Sequence, residues 1–276
     1  MPELPEVETT RRGLIDALEG RRIVHVEARH PRTLRRQVRP RDFCDRLRGR
    51  LVCTLGRHGK FLIFDVEGDL SWVTHLGMSG RVSIAEPGEP EAAHTHVIAR
   101  TDGGTEMRFV DPRTFGFSAV YTPEELAESS IALLGPDAWT ALPPYPALQA
   151  KAAGRVVAIK SLLLDQRFVA GLGNIYADEV LFRAGVVGSR PAGQVTAEEM
   201  RTLRNAIKPV LGAGLRHGGT SLDDLAYLLP DGQAGQYLQR LAVYGRADEP
   251  CRRCGTPIVR TIIGGRSSFH CPGCQA

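Results

Sequence analysis

The first residues of the chain carry the hydrophobic spacing of one amphipathic helix. Val7, Leu14 and Leu18 recur at intervals that place them on a single helical face. Proline suits the first turn of a helix and glycine the position just beyond its end, and Pro5 and Gly20 stand at those places. The pattern therefore predicts a helix over residues 5–18.

From residue 23 to about residue 121, helical spacing gives way to short runs of β-branched and aromatic residues. These runs cover residues 23–26, 61–64, 72–74, 96–99 and 107–110. Turn-forming sequences rich in glycine and aspartate separate several of them. Short strands at this spacing predict a β-sandwich or a β-barrel.

The second half of the chain returns to helical periodicity. The segment 136–150 is rich in proline and lacks periodicity, so we predict a linker there. Residues 173–184 and 196–216 have the spacing of helices, and the second begins with a capping box formed by Thr196 and Glu199. The order of these elements predicts an α+β fold, with a β-rich N-terminal part and a helical C-terminal part.

Composition limits where the protein acts. Hydrophobic residues make up 42% of the chain, which is enough to bury a sizeable core. No run of 18 apolar residues occurs, and the N-terminus lacks the basic and apolar stretches of a secretory signal. We therefore expect a cytoplasmic protein that does not associate with membranes.

Positive charge is concentrated at two places, although the net charge is only +4. Residues 21–60 contain thirteen Lys or Arg and three acidic residues, and residues 251–276 contain four arginines and no acid. Such clusters indicate a surface that meets phosphate groups, and arginine suits bidentate phosphate contacts. A solvated arginine-rich face is the alternative that charge alone leaves open.

The strongest chemical motif is a pair of CxxC sequences near the C-terminus. Cys251 and Cys254 are separated from Cys271 and Cys274 by the sixteen residues 255–270, a spacing typical of a zinc site. Four thiolates complete a tetrahedral shell and leave no position for water, so we expect one structural Zn²⁺. Two disulfides are the alternative, which a cytoplasmic location disfavours.

The residues between the two CxxC motifs predict a β-hairpin. Candidate strands at residues 262–263 and 268–269 flank a turn formed by Gly264, Gly265 and Arg266. The hairpin would place Arg266 at its tip, where its side chain is free to reach a ligand. Metal binding would supply the folding energy of this short tail.

A second chemical hypothesis concerns Pro2. If the initiator methionine is removed, Pro2 carries a free α-amine, whose ordinary pKa of about 7.7–8.0 lies below the value of about 10.4 for lysine. The positive end of the following helix lowers that pKa further. A secondary amine that attacks a sugar C1′ forms an iminium, and Glu3 or Glu6 lies close enough to serve as acid or base. The alternative is that these residues only begin a helix.

Five further motifs lie in order along the chain. They are residues 1–8 (MPELPEVE), 75–80 (HLGMSG), 111–116 (DPRTFG), 171–179 (GLGNIYADE) and 243–246 (VYGR). Together with the zinc hairpin they resemble the bacterial formamidopyrimidine-DNA glycosylase family. Because the motifs reach both ends of the chain, the resemblance is highly specific.

The resemblance implies an α+β enzyme of four parts. They are a catalytic β-sandwich domain with a leading helix (1–135), a linker (136–150), a helix–two-turn–helix DNA-binding domain (151–240) and a zinc-finger β-hairpin (241–276). The implied activity is that of a bifunctional DNA glycosylase and AP lyase, which excises oxidised purines such as 8-oxoguanine and formamidopyrimidines from duplex DNA. The damaged nucleotide must leave the base stack before its C1′ can react.

The resemblance also implies roles for individual residues. Pro2 would be the Schiff-base nucleophile and Glu3 the acid that assists at the sugar. Lys60 would serve β-elimination, and Arg266 would serve δ-elimination. The implied DNA contacts are His94, Arg113, Arg155 and Asn174, with Lys160 as a weaker candidate.

Three side chains would fill the gap that a flipped base leaves. Met78 and Phe115 would replace part of the lost stacking, which is worth about 1–3 kcal/mol per base. Arg113 would hydrogen-bond the orphaned opposite base. Apart from the resemblance, Met78 and Phe115 are typical core residues.

Two departures from the family pattern affect specificity. Thr114 stands where the family often has a second basic residue, so we expect weaker contacts to the opposite base or the backbone. Residues 222–237 would cover the flipped base, and Ala234 and Gln236 differ from the commoner proline and aromatic residues. Lesion preference is therefore the property that the resemblance transfers least directly.

Other functional classes remain as alternatives. The related endonuclease VIII-like family prefers oxidised pyrimidines, but its N-terminus usually reads Pro-Glu-Gly-Pro, whereas Leu4 follows Glu3 here. A non-catalytic zinc-ribbon protein would use the basic surface without Pro2, and a zinc hydrolase is disfavoured because four cysteines close the metal. We expect a monomer whose partner is damaged double-stranded DNA.

Overall fold

A computed structural model of the 276-residue chain describes residues 1–37, 39–221 and 227–276. The chain forms two compact units. The first comprises Met1–Leu133 with His217–Leu238, and the second comprises Leu134–Arg216 with Gln239–Ala276. The resemblance implies a 151–240 domain that would include His217–Leu238, whereas this segment packs with the first unit.

The first unit is built on two antiparallel four-stranded sheets. Its helices are α1 (Leu4–Leu18), α2 (Pro40–Leu47) and α3 (Pro123–Glu128). Its strands are β1 (Ile23–Ala28), β2 (Val52–His58), β3 (Phe61–Val66), β4 (Leu70–His75), β5 (Arg81–Ala85), β6 (Thr95–Thr101), β7 (Glu106–Val110) and β8 (Phe117–Tyr121). The strand orders are β1-β6-β7-β5 and β2-β3-β4-β8.

Both sheets contribute to one hydrophobic core, which also buries the apolar face of α1. Val7, Leu14 and Leu18 are fully buried there, as their helical spacing predicts. Phe64 and Trp72 stack within the same core with ring centroids 4.4 Å apart. The predicted α+β fold with an N-terminal β-sandwich is therefore confirmed.

The hydrophobic pattern located five of these strands and missed the other three. It also missed α2, so the prediction of β-structure throughout residues 23–121 was wrong at that helix. In β2 only Val52 and Leu55 are buried, and in α2 only Phe43 and Leu47 are buried, among charged neighbours. With only two buried residues in each element, the hydrophobic pattern is too short to show whether the segment is a strand or a helix.

The second unit is mainly helical. Its helices are α4 (Tyr145–Ala152), α5 (Ile159–Leu164), α6 (Asn174–Ala184) and α7 (Ala197–Arg216), and its strands are β9 (Val259–Ile263) and β10 (Arg266–His270). The two predicted helices are confirmed as α6 and α7. Thr196 and Glu199 form the expected capping box, with the Glu199 N–H donating to Thr196 Oγ1 at 3.2 Å.

The segment 136–150, predicted as a linker, is folded into the second unit. Ala138 is fully buried, and Asp137 Oδ1 accepts the N–H groups of Trp139 and Thr140, each at 3.0 Å. Helix α4 begins at Tyr145. A side-chain-capped turn explains why the segment lacks periodicity while remaining ordered. Over the described ranges, no helix combines the length and apolarity that crossing a membrane requires.

Candidate active site and zinc site

The start of α1 is fixed by a capping box. The Glu3 side chain accepts the Glu6 N–H, and Glu6 Oε2 accepts the Glu3 N–H at 2.8 Å. Both carboxylates are 1% exposed, and Pro2 is also buried, whereas Met1 is 45% exposed. Removing the exposed methionine would leave the amine of Pro2 at the positive end of the helix, beside two acids.

Glu6 also joins α1 to the segment His217–Leu238 of the same unit. Its second oxygen, Oε1, accepts the Thr220 N–H at 2.7 Å. Gly219 has a φ of +82°, and a Cβ at that position would lie 2.8 Å from Glu6 Oε1. The Tyr227 hydroxyl donates to the Glu6 carbonyl at 3.2 Å, and burial raises the pKa of Tyr227, so the hydroxyl stays neutral. Both Glu6 oxygens therefore hold backbone amides.

The segment 222–237, expected to cover a flipped base, is described from Tyr227 onward, and residues 222–226 lie outside the described residues. Its described part turns tightly, with the Leu229 N–H donating to the Gln233 carbonyl at 2.9 Å. Pro230 packs on α1 so closely that a Cβ on Gly13 would lie 2.9 Å from Pro230 Cγ. The described part of the segment is therefore anchored on α1 through Pro230.

Lys60 lies between β2 and β3 and is 5% exposed. The buried Arg57 side chain links this turn to α1, because its Nε donates to Glu8 Oε2 at 3.1 Å and its Nη1 donates to the Gly59 carbonyl at 2.8 Å. Burial and the positive charge of Lys60 lower the pKa of His75 to about 4, so His75 is neutral at physiological pH. Through Arg57, Glu8 thus holds the turn that contains Lys60 against α1, the helix that Pro2 and Glu3 precede.

Ionised Glu8 should make the first unit sensitive to acid. Burial opposes its ionisation, but hydrogen bonds from three arginines outweigh burial and lower its pKa from 4.5 to about 2. A depressed pKa contributes stability above pH 4.5 that is lost as the pH falls towards 2, about 3 kcal/mol in all. We expect the stability gap between wild type and Glu8→Gln to close over that range. Urea unfolding followed by Trp72 fluorescence measures this difference in stability, with Trp139→Phe introduced into both proteins so that Trp72 is the reporter. Glu128→Gln, at an exposed position, is the control. A difference between wild type and Glu8→Gln that does not change with pH would contradict the assignment.

Two loops bring Met78, Arg113 and Phe115 together. The fully buried Asp111 accepts the Ser79 hydroxyl at 2.6 Å through Oδ1 and the Gly116 N–H at 2.7 Å through Oδ2. The loop backbones also touch: Gly77 has a φ of +66°, and a Cβ there would lie 2.2 Å from the nitrogen of Gly116. This contact excludes any side chain at Gly77.

The three side chains carried by these loops point to solvent. Met78 is 41% exposed and Phe115 is 39% exposed, so the alternative that they are core residues was wrong. The exposed Arg113 guanidinium lies 4.9 Å from the centre of the Phe115 ring. His94, also exposed, has a φ of +64°, and its carbonyl accepts the Asp111 N–H at 3.1 Å. Four predicted DNA-contacting residues therefore stand on one connected set of loops.

In the second unit, Lys160 is fully buried and ion-paired. Its Nζ lies 2.8 Å from Asp178 Oδ1 and donates to the Ser267 carbonyl at 2.7 Å. Asn174 Nδ2 donates to the same carbonyl at 3.0 Å, and the Ser268 hydroxyl donates to Asp178 at 3.0 Å. Burial raises the pKa of Asp178 to about 6 against the lowering effect of Lys160. The suggestion that Lys160 contacts phosphate was wrong, because its ammonium holds β10 instead.

The same network supports Arg266. Gly264 and Gly265 have φ values of +56° and +75°, as a two-residue hairpin turn requires, and Arg266 begins β10 opposite Ile263. Arg266 is exposed, one residue before the carbonyl that Lys160 and Asn174 bind. Arg155, the other predicted contact in this unit, is exposed between α4 and α5, and its Nε donates to the Lys151 carbonyl at 2.8 Å.

We predict a large stability loss when Lys160 is replaced alone. Lys160→Met leaves the buried Asp178 carboxylate without its cation, which should cost about 3–5 kcal/mol of unfolding free energy. The double variant Lys160→Met, Asp178→Asn should recover much of that loss. Lys208→Met, which removes an exposed cation from α7, serves as the control. Urea unfolding checks all three, and equal midpoints for the two single variants would contradict the assigned role.

The four cysteines Cys251, Cys254, Cys271 and Cys274 come together as one cluster. Their Sγ atoms all lie within 4.8 Å of one another, and none forms a disulfide. Tetrahedral zinc with bonds of about 2.3 Å would place the sulfurs about 3.8 Å apart, close to the 3.4 Å and 4.0 Å found for two of the pairs. This mutual spacing of four sulfurs fits one closed structural zinc site better than two separate disulfides.

A buried carboxylate attaches this zinc site to α6. Glu179 Oε1 accepts the N–H groups of Val243 at 2.9 Å and Tyr244 at 3.0 Å, and Oε2 accepts that of Ala242 at 2.8 Å. Burial raises the pKa of Glu179, and these amide donors oppose that rise. The motif at residues 171–179 thus supplies the anchors for both β10 and the segment before the first CxxC.

Three family models match consecutive parts of the chain. They are the formamidopyrimidine-DNA glycosylase N-terminal domain over residues 1–118, the formamidopyrimidine-DNA glycosylase H2TH domain over residues 134–225, and the zinc finger found in FPG and IleRS over residues 248–276. The last match agrees with the cysteine geometry in assigning zinc to the cluster.

Curated relatives and solved structures agree with these matches. A formamidopyrimidine-DNA glycosylase of Acidothermus cellulolyticus is 45% identical over 100% of this chain and 97% of its own length, and that of Geobacillus kaustophilus is 41% identical over the whole of both chains. The crystal structure of the MutM (FPG) protein from Thermus thermophilus has a TM-score of 0.87 at 39% identity, covering 99% of this chain and 98% of that one.

A Lactococcus lactis FPG mutant bound to DNA that contains Fapy-dG has a TM-score of 0.90 at 30% identity, with 99% of both chains covered. A second Lactococcus lactis structure, a complex with DNA that contains an abasic site, matches with the same TM-score, identity and coverage. These similarities extend over the full chain, as the sequence motifs do. The chain belongs to the formamidopyrimidine-DNA glycosylase family.

Proposed function

We propose that the protein is a DNA glycosylase and AP lyase that excises oxidised purines from duplex DNA. The family match, the glycosylase names of its relatives and the complexes of similar structures with Fapy-dG and abasic-site DNA support this function. The observation that carries the proposal is the buried cluster at the start of α1. There Pro2 directly precedes two carboxylates at the positive end of the helix.

In the proposed reaction the amine of Pro2 attacks C1′ of the flipped nucleotide. The bond from C1′ to the base breaks, and the base leaves with the bonding electron pair and the proton that the amine gives up. The sugar ring then opens to an iminium as Glu3 donates a proton to the ring oxygen. Both Glu6 oxygens hold backbone amides, so we assign Glu6 to holding the start of α1 and Glu3 to the proton transfer. The iminium acidifies C2′, so loss of a C2′ proton expels the 3′ phosphate, and loss of a C4′ proton then expels the 5′ phosphate. Water hydrolyses the remaining iminium and frees the amine of Pro2.

Lys60 and Arg266 are the proposed cations for the two eliminations. Lys60 would stand beside the lesion phosphate, in a turn that Arg57 and Glu8 fasten to α1. Arg266 would serve the δ-elimination from the tip of the hairpin. Zinc supplies no chemistry in this scheme, because its four thiolates close the coordination shell.

The remaining predicted residues would hold the DNA. His94, Arg155 and Asn174 are the proposed contacts to the backbone, and Met78, Arg113 and Phe115 would occupy the gap left by the flipped base. The exposure of Met78 and Phe115 supports this role, since stacking requires accessible apolar surface. We further propose that the protein acts as a cytoplasmic monomer on damaged double-stranded DNA.

Paired substrates test the function. We expect cleavage of duplex DNA with 8-oxoguanine opposite C at least about tenfold faster than cleavage of the same duplex with thymine glycol, with phosphate left at both ends of the gap. The reverse preference would support the endonuclease VIII-like alternative. Binding without cleavage of either duplex would support a zinc-ribbon DNA-binding protein and contradict the proposal.

A further inference from the structure

The loop that carries Arg113 and Phe115 is held in a strained conformation. Thr114 has a φ of +54°, in the left-handed region that β-branched residues rarely enter. Its N–H donates to the Asp111 carbonyl at 3.2 Å. Strain of this kind persists only where surrounding contacts over-determine the backbone, and it is concentrated at functional sites.

Two arginines from the neighbouring segment bind three successive carbonyls of this loop. Arg32 Nε donates to the Thr114 carbonyl at 3.2 Å. Arg35 Nη2 donates to the Phe115 carbonyl at 2.7 Å, and its Nη1 donates to the carbonyl of Gly116. Arg35 Nη1 also donates to the Arg32 carbonyl at 2.8 Å, so the Arg35 guanidinium ties the Arg32 backbone to the loop.

Aromatic rings complete the arrangement. The Arg35 guanidinium lies 5.5 Å from the centre of the Phe117 ring, and that of Arg32 lies 5.8 Å from the Phe115 ring. Arg36 lies 5.8 Å from the Phe117 ring as well, but among the described residues it donates no hydrogen bond to the loop. Arg35 and Arg36 thus carry the same charge near the same ring, but of the two only Arg35 binds the described carbonyls of the loop.

We propose that Arg35, together with Arg32, is a positioning residue that fixes the strained Thr114 turn and so aims Arg113 at the base opposite the lesion. The inference rests on the proposed function. It gives part of the arginine cluster at residues 21–60 a task other than phosphate binding. A planar guanidinium can bind two carbonyls at once, whereas a lysine ammonium at the same place cannot reproduce that fork.

Three variants separate positioning from charge. Arg35→Lys keeps the charge and loses the fork, Arg36→Met removes a charge and leaves the fork, and Arg113→Ala removes the proposed base-reading group. Each is measured for binding to duplexes that carry a tetrahydrofuran abasic analogue opposite C or opposite A, across a range of salt concentrations. Because these duplexes need no catalysis, a failure of the proposed chemistry would not be confused with a failure of the positioning role.

We expect Arg35→Lys to shrink the preference between the two opposite bases about tenfold at an unchanged salt slope. Arg36→Met should keep the preference, weaken both complexes equally and lower the salt slope by about one. In the double variant Arg35→Lys, Arg113→Ala, the loss of preference between the two opposite bases should not exceed the loss in Arg113→Ala alone.

Thermal midpoints of the free proteins show whether a variant is folded. Arg35→Lys should melt within a few degrees of wild type although its preference between the two opposite bases falls. A wild-type preference in Arg35→Lys, or equal losses of preference in Arg35→Lys and Arg36→Met, would overturn the proposal. An additive loss in the double variant would also overturn it, since Arg35 would then act independently of Arg113.

Discussion

A protein that retains an extra residue on the N-terminal side of Pro2 should bind lesion DNA and fail to cleave it. In the extended chain the nitrogen of Pro2 belongs to a peptide bond, and resonance removes the lone pair that the proposed nucleophile needs. Removal of a nucleophile typically costs several orders of magnitude, so we expect cleavage of the 8-oxoguanine duplex to fall by roughly a thousandfold or more.

The structure makes this test clean. Met1 is 45% exposed where Pro2 is buried, so a longer N-terminus can leave the fold without displacing the core. The matched control is the same protein with a protease site placed so that cleavage leaves Pro2 as the first residue. Activity that is equal before and after the protease step would contradict the assignment of Pro2.

Replacing one zinc ligand should have the second largest effect. Structural zinc contributes about 10–16 kcal/mol to the folding of small zinc domains, so Cys254→Ser should lose the metal and unfold the β9–β10 hairpin. Because Arg266 and the Ser267 carbonyl lie on that hairpin, we expect DNA binding to weaken by more than about tenfold. Metal content by atomic emission and a DNA titration on the same sample measure the two losses together.

The control for this change is Cys53→Ser, which removes an exposed cysteine on β2 that lies outside the zinc cluster. It should retain zinc and DNA binding. The fold of the β-sandwich should survive in both variants, since its core has no part in the zinc cluster. DNA binding that persists in metal-free Cys254→Ser would show that the hairpin folds without zinc, contrary to this account.

Local patterns in the sequence were sufficient wherever one segment determined its own structure. The spacing of Val7, Leu14 and Leu18 predicted α1, and the two CxxC motifs predicted a metal cluster that the structure assembles. The hairpin turn at Gly264 and Gly265 was also predictable, because glycine accommodates the positive φ values that such turns need.

Contacts between distant segments could not be predicted from the sequence in this way. Asp178 was inside a recognised motif, yet its ion pair with Lys160 depends on how α5 packs beside α6, so Lys160 looked like a surface cation. Arg35 was one of thirteen basic residues in a charged run, and only the fold shows that it binds loop carbonyls about 80 residues away.

Ser79 and Asp111 each lie in one of the motifs quoted above. Their positions in those motifs were visible in the sequence, but the contact between them was not predicted. Their hydrogen bond joins the Met78 loop to the Arg113 loop. In the sequence, a carboxylate in a glycine-containing motif is compatible either with catalysis or with holding a loop in place. The burial and the hydrogen bonds of that carboxylate distinguish the two roles. Asp111 is fully buried and bonded through both oxygens, which identifies an architectural role.

The central claim is that Pro2 forms the covalent bond to DNA. The most direct measurement is to incubate the protein with a duplex that contains 8-oxoguanine opposite C, reduce the mixture with borohydride, and map the attached peptide by mass spectrometry. We predict one DNA-linked peptide, modified at the nitrogen of Pro2 at the start of the chain, with a much lower yield from Pro2→Gly. Attachment through Lys60 or another lysine, or an undiminished yield from Pro2→Gly, would contradict it.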